Sequence, residues 1–463
     1  MYAQRTCDRC YKIKARCVLG PGLPACARCT RLGYTCRTER AILLPGRPRT
    51  TPPKTTRSLT PPRKNAVAAF SYTTPQLPPH IRLSYLRGFQ DHEVSLIEFL
   101  VHPEQIASFV YGQSFQESIR LTMLGRLVIS TNQVKDAFLA FAKALSDNKH
   151  ITLGEILSPS HAENGSKALQ NLRSLAPACL EDIRTVISLA LILVTYNDLS
   201  VGAPTLPISQ SALLQALPWR EQLICKTTEE TDPYIICLLY VELAECIVLG
   251  ELPIFRYEPP AGNTIVDTYY GISHELLPHL YDVCCLYRGI KDGTILEAQL
   301  IPRTEAIANS VAEWMPDTAL DQRASIVADQ VERNHLLLQA RAFKYATQLL
   351  VLQTRRSPLA DMLARSKAIQ LEAQVEKAIK QSAGRPKYLL FPYFVACLEL
   401  DEVNTDNENK ILRTMHAISN GMAPSSCQSM LACLKHVWRK RAERPELTWF
   451  ECIGTGASIA MGP

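Results

Sequence analysis

Six cysteines fall between positions 7 and 36, in the stretch CDRCYKIKARCVLGPGLPACARCTRLGYTC. They are Cys7, Cys10, Cys17, Cys26, Cys29 and Cys36, spaced C-x2-C-x6-C-x8-C-x2-C-x6-C. The pattern is written twice, each half a C-x2-C pair followed by a third cysteine. A C-x2-C turn brings two thiolates to one metal ion, and a short helix can deliver the third. Tetrahedral zinc takes four ligands, so six thiolates satisfy two ions only if two sulfurs are shared. Histidine does not help, because the first is His80.

Three other uses of these cysteines compete. A disulfide framework needs an oxidising compartment. The N-terminal MYAQRTCDRC has no apolar core, so no secretory signal is expected. An iron–sulfur site would explain neither the duplication nor the basic residues between the ligands. A single four-cysteine zinc site would leave two thiols idle. The two-zinc reading accounts for all six, and the remaining ten cysteines, set among apolar residues, read as small core hydrophobes.

Charge is divided as sharply. The net +6 of the chain combines an arm and a body of opposite sign. Residues 1–65 hold fifteen Lys or Arg against Asp8 and Glu39, and the remainder carries a net −7. A basic arm on a mildly acidic body points to a polyanion held by the arm. Residues 41–80 contain nine prolines and seven threonines among basic residues, which excludes a continuous helix and describes an extended linker. No apolar heptads follow the cysteines, so a coiled-coil dimer is not expected there. Pro45-Gly46-Arg47-Pro48-Arg49 resembles the core of an AT-hook, which makes Arg47 and Arg49 candidate minor-groove contacts. Basic pairs such as Arg63-Lys64 suit nuclear import.

With 463 residues, 47% hydrophobic and 20% charged, the rest of the chain can bury an ordinary core. Its periodicity is helical throughout. Val327, Val331, Leu338, Ala342, Tyr345, Leu349 and Leu352 trace one face of a long helix that ends at Ser357-Pro358. A second helix runs from Leu359 to about Ser382. Ile183–Val194, apolar on all sides and preceded by Glu181 and Asp182, reads as a central buried helix too short to cross a bilayer. Further helices are expected near 84–101, 117–145, 161–176, 234–249, 275–289, 295–314, 388–402, 408–420 and 425–442, with no run of strands. The fold class is therefore mostly α: a small zinc cluster at 1–40, a basic linker at 41–80 and an all-helical domain at 81–455.

Enzyme signatures are missing: the sequence contains no Gly-rich phosphate loop, G-x-S-x-G or H-E-x-x-H. Cys284-Cys285 with His279 and Asp282 imitates a nucleophile and base, but on an apolar helix it reads as core. His335 reads as a packing residue rather than a ligand contact. The acidic-apolar run Glu399–Glu408 has the character of some activation segments, with a solvated helix end or loop as the plainer reading. No catalytic residue is assigned.

The segment Cys7–Cys36 resembles the binuclear zinc-cluster domain of fungal transcription factors. That resemblance implies two zinc ions, with Cys7 and Cys26 bridging them, Cys10 and Cys17 completing one, and Cys29 and Cys36 the other. It implies two short helices, each opening after a C-x2-C pair. Pro24 matches a proline of the inter-helix loop, and Gly33 sits where a helix end needs a left-handed residue. It further implies that the first helix enters the major groove of double-stranded DNA at a CGG triplet, with Lys14 as the base contact. Lysine donating to guanine O6 and N7 suits that role. Arg9, Lys12 and Arg16 on or beside the first helix, and Arg28 and Arg31 on the second, then fall to phosphate. Tyr11, Ile13 and Val18 depart from the family pattern, and Ile13 removes one basic contact. A co-regulator whose cluster contacts protein is the alternative these departures favour. The helical body is similar to the regulatory region that follows the cluster in many such proteins, in stretches such as Ala168–Leu172 and the apolar helix ending near Tyr196. This layout implies a nuclear regulator, as in pathway-specific regulators of biosynthetic gene clusters. Its helical domain would meet the transcription machinery or co-regulators, and any homodimer would form without a coiled coil.

Overall fold

The computed structural model describes Cys17, Cys26, Cys29, Thr30 and Cys36 and most of residues 88–453; residues 111, 151–159, 201, 225–231, 261–264, 324–328, 355–356, 382–386, 401–404, 420–423 and 446 lie outside the description. The chain divides into two compact units, Met1–Gln76 and Leu77–Pro463. The linker expected at 41–80 lies outside the described residues.

The larger unit is built of helices, and among the described residues no strand forms beyond an isolated bridge between Asp267 and Gly271. It begins with α1 (Asp91–Leu100), α2 (Pro103–Phe109), α3 (Gln113–Ile129), α4 (Thr131–His150), α5 (Ser160–Ser174) and α6 (Leu180–Ser200). There follow α7 (Leu206–Ala216), α8 (Arg220–Leu223), α9 (Pro233–Leu249), α10 (Leu277–Lys291), α11 (Glu297–Glu313) and α12 (Pro316–Asp321). The last are α13 (Gln330–Leu352), α14 (Pro358–Gln381), α15 (Leu390–Cys397), α16 (Thr405–Ile418), α17 (Pro424–Glu443) and α18 (Trp449–Ile453).

Two helices form the centre. Every described side chain of α9 from Tyr234 to Val248 is buried, and α6 is buried from Thr185 to Val194 without interruption. At 21 residues, α6 is long and apolar enough to cross a membrane, yet 78% of its most apolar window is covered by the rest of the protein. It packs against α4, α5, α7, α9 and α17. Asp232 caps α9 by accepting from Tyr234 N at 3.0 Å, Pro233 fixes its first turn, and Gly250 ends it at φ +66°.

A buried ionic knot ties three helix ends together. Arg126 of α3 reaches Asp232 at 3.0 Å and also bonds Glu181 of α6, while Arg184 lies 4.0 Å from Asp232. Burial pushes Asp232 up, and Arg126 and Arg184 oppose it.

The structure departs from the sequence expectations at definite points. The expected helix at 117–145 is two helices, broken at Ser130, whose hydroxyl pairs with Thr185 Oγ1 at 2.8 Å while Thr131 Oγ1 caps Leu127 O. The expected 388–402 helix stops at Cys397. Helices α2, α7, α8, α12 and α18 were not expected; α2, α7 and α12 carry proline in their first turn, which starts a short helix that weak periodicity does not reveal. Of the face expected on α13, Leu338, Ala342 and Leu349 are buried, but Val331 is 61% exposed, and Leu336, Phe343 and Leu350 are buried as well; Val327 lies outside the described residues. Of the acidic run, Glu399 is buried beside Arg441 at 3.6 Å, and Thr405–Glu408 opens α16.

Removing Arg126 while leaving Asp232 in place strands a buried carboxylate. Arg126→Ala is expected to destabilise the protein by about 3–5 kcal/mol in urea unfolding of the full chain.

The buried carboxyls set the response to pH. Burial pushes Glu242 and Asp198 up to about 8, the latter helped by Glu245. A folded pKa above the unfolded one means that stability falls as pH rises toward the folded value. His274 and His335, pushed down to about 4 from 6.5, act in the opposite direction below 6.5. The acids therefore act alone between pH 6.5 and 8, and the melting temperature is expected to drop over that interval. Glu242→Gln, which keeps the bond from Ile254 N, is expected to shrink the drop when both proteins are melted at the two pH values.

Candidate metal centre and DNA interface

Cys26, Cys29 and Cys36 converge with their sulfurs within 4.8 Å of one another. Local structure brings them there. Thr30 N donates to Cys26 O at 3.0 Å and its hydroxyl to the same oxygen, so the backbone enters a helical turn after Cys26 with Cys29 and Thr30 helical. That turn carries the C-x2-C pair to one side. Cys26 N points at Cys36 Sγ at 3.3 Å, and Cys29 N at Cys26 Sγ at 3.4 Å. Such N–H groups stabilise thiolate charge. Cys26 and Cys29 are fully enclosed, and Cys17 and Cys36 pack against them half-buried.

These residues fit zinc. Zn–S bonds of about 2.3 Å put tetrahedral sulfurs roughly 3.8 Å apart, and the three sulfurs lie within 4.8 Å of one another. None of the four described cysteines is in a disulfide. The helical turn after Cys26 agrees with the helix expected behind the second pair. Cys7 and Cys10 lie outside the described residues, as do Lys14, Arg9, Lys12, Arg16, Arg28 and Arg31 and the candidate minor-groove pair Arg47 and Arg49.

Residues 5–43 match the profile of the fungal Zn(2)-Cys(6) binuclear cluster domain. Residues 137–461 match that of the fungal specific transcription factor domain, which takes in most of the chain. The chain belongs to this family of fungal transcription factors. No curated protein and no solved structure matches it. The six-cysteine cluster of this transcription factor binds two zinc ions, and the metal crosslinks a segment too short to hold a core of its own.

The remaining chemistry-bearing groups behave as packing. Cys284 is fully buried, and burial pushes the Cys284 and Cys285 thiols up, away from the thiolate a nucleophile needs. Burial pushes His279 down, and Asp282 is held by Arg256 at 2.9 and 3.0 Å. His335 is half-buried and pushed down to about 4 by burial and by Lys387. Cys179 is an exception to the core reading. It is exposed just before α6, where its N–H donates to Asp182 Oδ2 at 3.1 Å.

Chelation separates the two units. With 1,10-phenanthroline in excess, two zinc ions per chain are expected in the filtrate by atomic emission. The cooperative helical melt of the larger unit is expected to persist, because its core contains none of the six ligands.

Proposed function

We propose that this transcription factor reads CGG-containing half-sites in the major groove, with Lys14 as the base-contacting residue. The observation that carries the reading is the duplicated cysteine spacing with basic residues set between the ligands. In this reading Cys7 and Cys26 bridge the two zinc ions. Held by the six cysteines, the two ions would supply the rigidity that a segment of this length lacks.

Charge supports the same division of labour. The first forty residues hold nine Lys or Arg against two acids, and two zinc ions with six thiolates subtract two from that surplus. What remains is enough to bind phosphate, through Arg9, Lys12, Arg16, Arg28 and Arg31, with Arg47 and Arg49 following the minor groove. The protein acts in the nucleus as segments 1–40 for DNA, 41–80 as linker and 81–455 as regulatory domain, the last meeting the transcription machinery or co-regulators. A role in controlling one biosynthetic gene cluster suits this layout. It needs no catalytic residue.

Selection of the zinc-loaded full chain on a randomised duplex library, at two salt concentrations, tests the reading. Enrichment of CGG is expected. Lys14→Ala is expected to weaken binding to the selected site by about 1–3 kcal/mol with zinc content unchanged. Arg28→Ala is expected to weaken all sequences alike and to reduce the salt slope by about 1. Ile13 and Tyr11 favour a second reading, a cluster that contacts protein, which a steep salt dependence of DNA binding would exclude.

A further inference from the structure

Helices α2, α3, α4, α6, α9, α15 and α16 converge on a cavity of about 120 Å³ inside the regulatory domain. Its walls are mainly hydrocarbon: Ile119 and Met123 from α3, Phe138 and Phe141 from α4, Leu191 and Ile192 from α6. Phe109 stands 5.2 Å from Phe141, ring centre to ring centre. We propose that this cavity binds a small neutral molecule with one aromatic ring and a hydroxyl group, the ring among the phenylalanines and the hydroxyl on Asp198.

The size and the walls select a ring. A dry apolar cavity of about 150 Å³ takes a benzene molecule. A void of this kind costs its lining the dispersion contacts that a ring would restore.

The polar groups select the hydroxyl. Asp198 is 5% exposed, lines the cavity, and accepts at Oδ1 from Ser426 Oγ. Among the described residues no donor is placed on its Oδ2. Burial and the nearby Glu245 push Asp198 up to about 8, so at neutral pH it is an acid that both gives and takes a hydrogen bond. A hydroxyl does the same. The Thr195 and Ser108 hydroxyls already donate, to Leu191 O at 2.9 Å and Gln105 O at 2.5 Å, and so offer only acceptors.

The same groups disfavour ions. Lys387, the cationic residue of the lining, donates to Ala107 O and Val110 O at the end of α2, and an anion would have to compete for it. A cation would meet a carboxyl held neutral by its surroundings, with its own desolvation unrepaid.

One wall is strained. Tyr388 has φ +55°, a backbone conformation unusual for a side chain of its size. Its hydroxyl donates to Phe109 O, and its ring lies against Tyr269 and Tyr270, with centres 5.8 and 5.2 Å away. Strain of this kind persists where surrounding contacts over-determine it, and it collects at ligand clamps.

The test uses the zinc-loaded full chain and four single-ring probes: phenol, toluene, benzoate and benzylamine. Titration calorimetry is expected to show one phenol per chain, bound about tenfold more tightly than toluene, the equivalent of one hydrogen bond. The two charged probes are expected to bind more weakly than toluene. Asp198→Leu is expected to bring phenol down to the level of toluene and to leave toluene unchanged. Ile192→Phe, which fills the cavity from one wall, is expected to abolish both while the helical melt persists.

No heat from phenol at millimolar concentration would overturn the proposal, as would preference for a charged probe or undiminished binding to Ile192→Phe. The four probes on the unaltered chain decide the matter even where Asp198→Leu fails to fold. Because the readout is binding in the absence of DNA, failure here leaves the CGG reading untouched, and failure of that reading leaves this one standing.

Discussion

Two helices with no solvent face govern the larger unit. An amphipathic helix can finish a fold by lying on its surface, whereas α6 and α9 have apolar residues all round and must be enclosed. Their neighbours follow from that need. α4, α5, α7 and α17 join α9 around α6, while α10 and α18 close on α9. The outer helices are the amphipathic ones, with charge toward water. Enclosure also explains the chemistry of the interior: acids such as Asp198, Glu242 and Glu245 are carried inward because they ride on helices with no outside. Each is met by a donor, Ser426 for Asp198, Ile254 N for Glu242 and Thr205 for Glu245.

The ends of the central helices are the other half of the problem. A helix start at the rim of a core leaves N–H groups that need an acceptor, and Asp232 answers for α9. Asp232 is then itself a buried charge, and Arg126 answers for it from α3. The chain of requirements stops at Glu181 and Arg184, which reach solvent.

What the sequence made legible was whatever repeats at close spacing. Cys26, Cys29 and Cys36 meet as their positions implied, and α14 lies within a residue or so of its expected limits. The buried run Ile183–Val194 was readable because no polar residue interrupts it. What escaped depends on partners distant in the chain. Ser130 breaks a helix because Thr185 waits opposite it, 55 residues on. Val331 has the right spacing but faces water, since spacing gives a face and not its neighbour. Glu399 looked solvated in an acidic run, yet it is buried and pairs with Arg441 across the fold. Asp198 gave one legible signal, an acid at the end of an apolar helix, but the cavity beside it is assembled from seven helices and has no linear trace.

The distribution of sulfur has a practical side. Burial pushes the thiols of Cys237, Cys246, Cys284, Cys397, Cys427 and Cys433 up, which keeps them protonated and out of reach of reagents. Outside the metal centre, Cys179 is the exposed thiol among the described residues. A metal-bound thiolate is shielded from alkylation by its own ion, so metal-bound, buried and exposed thiols among the described residues differ in reactivity. A gentle alkylating agent, counted by intact mass, thereby becomes a gauge of metal loading: adducts beyond those of a zinc-saturated sample measure the fraction of chains that have lost zinc.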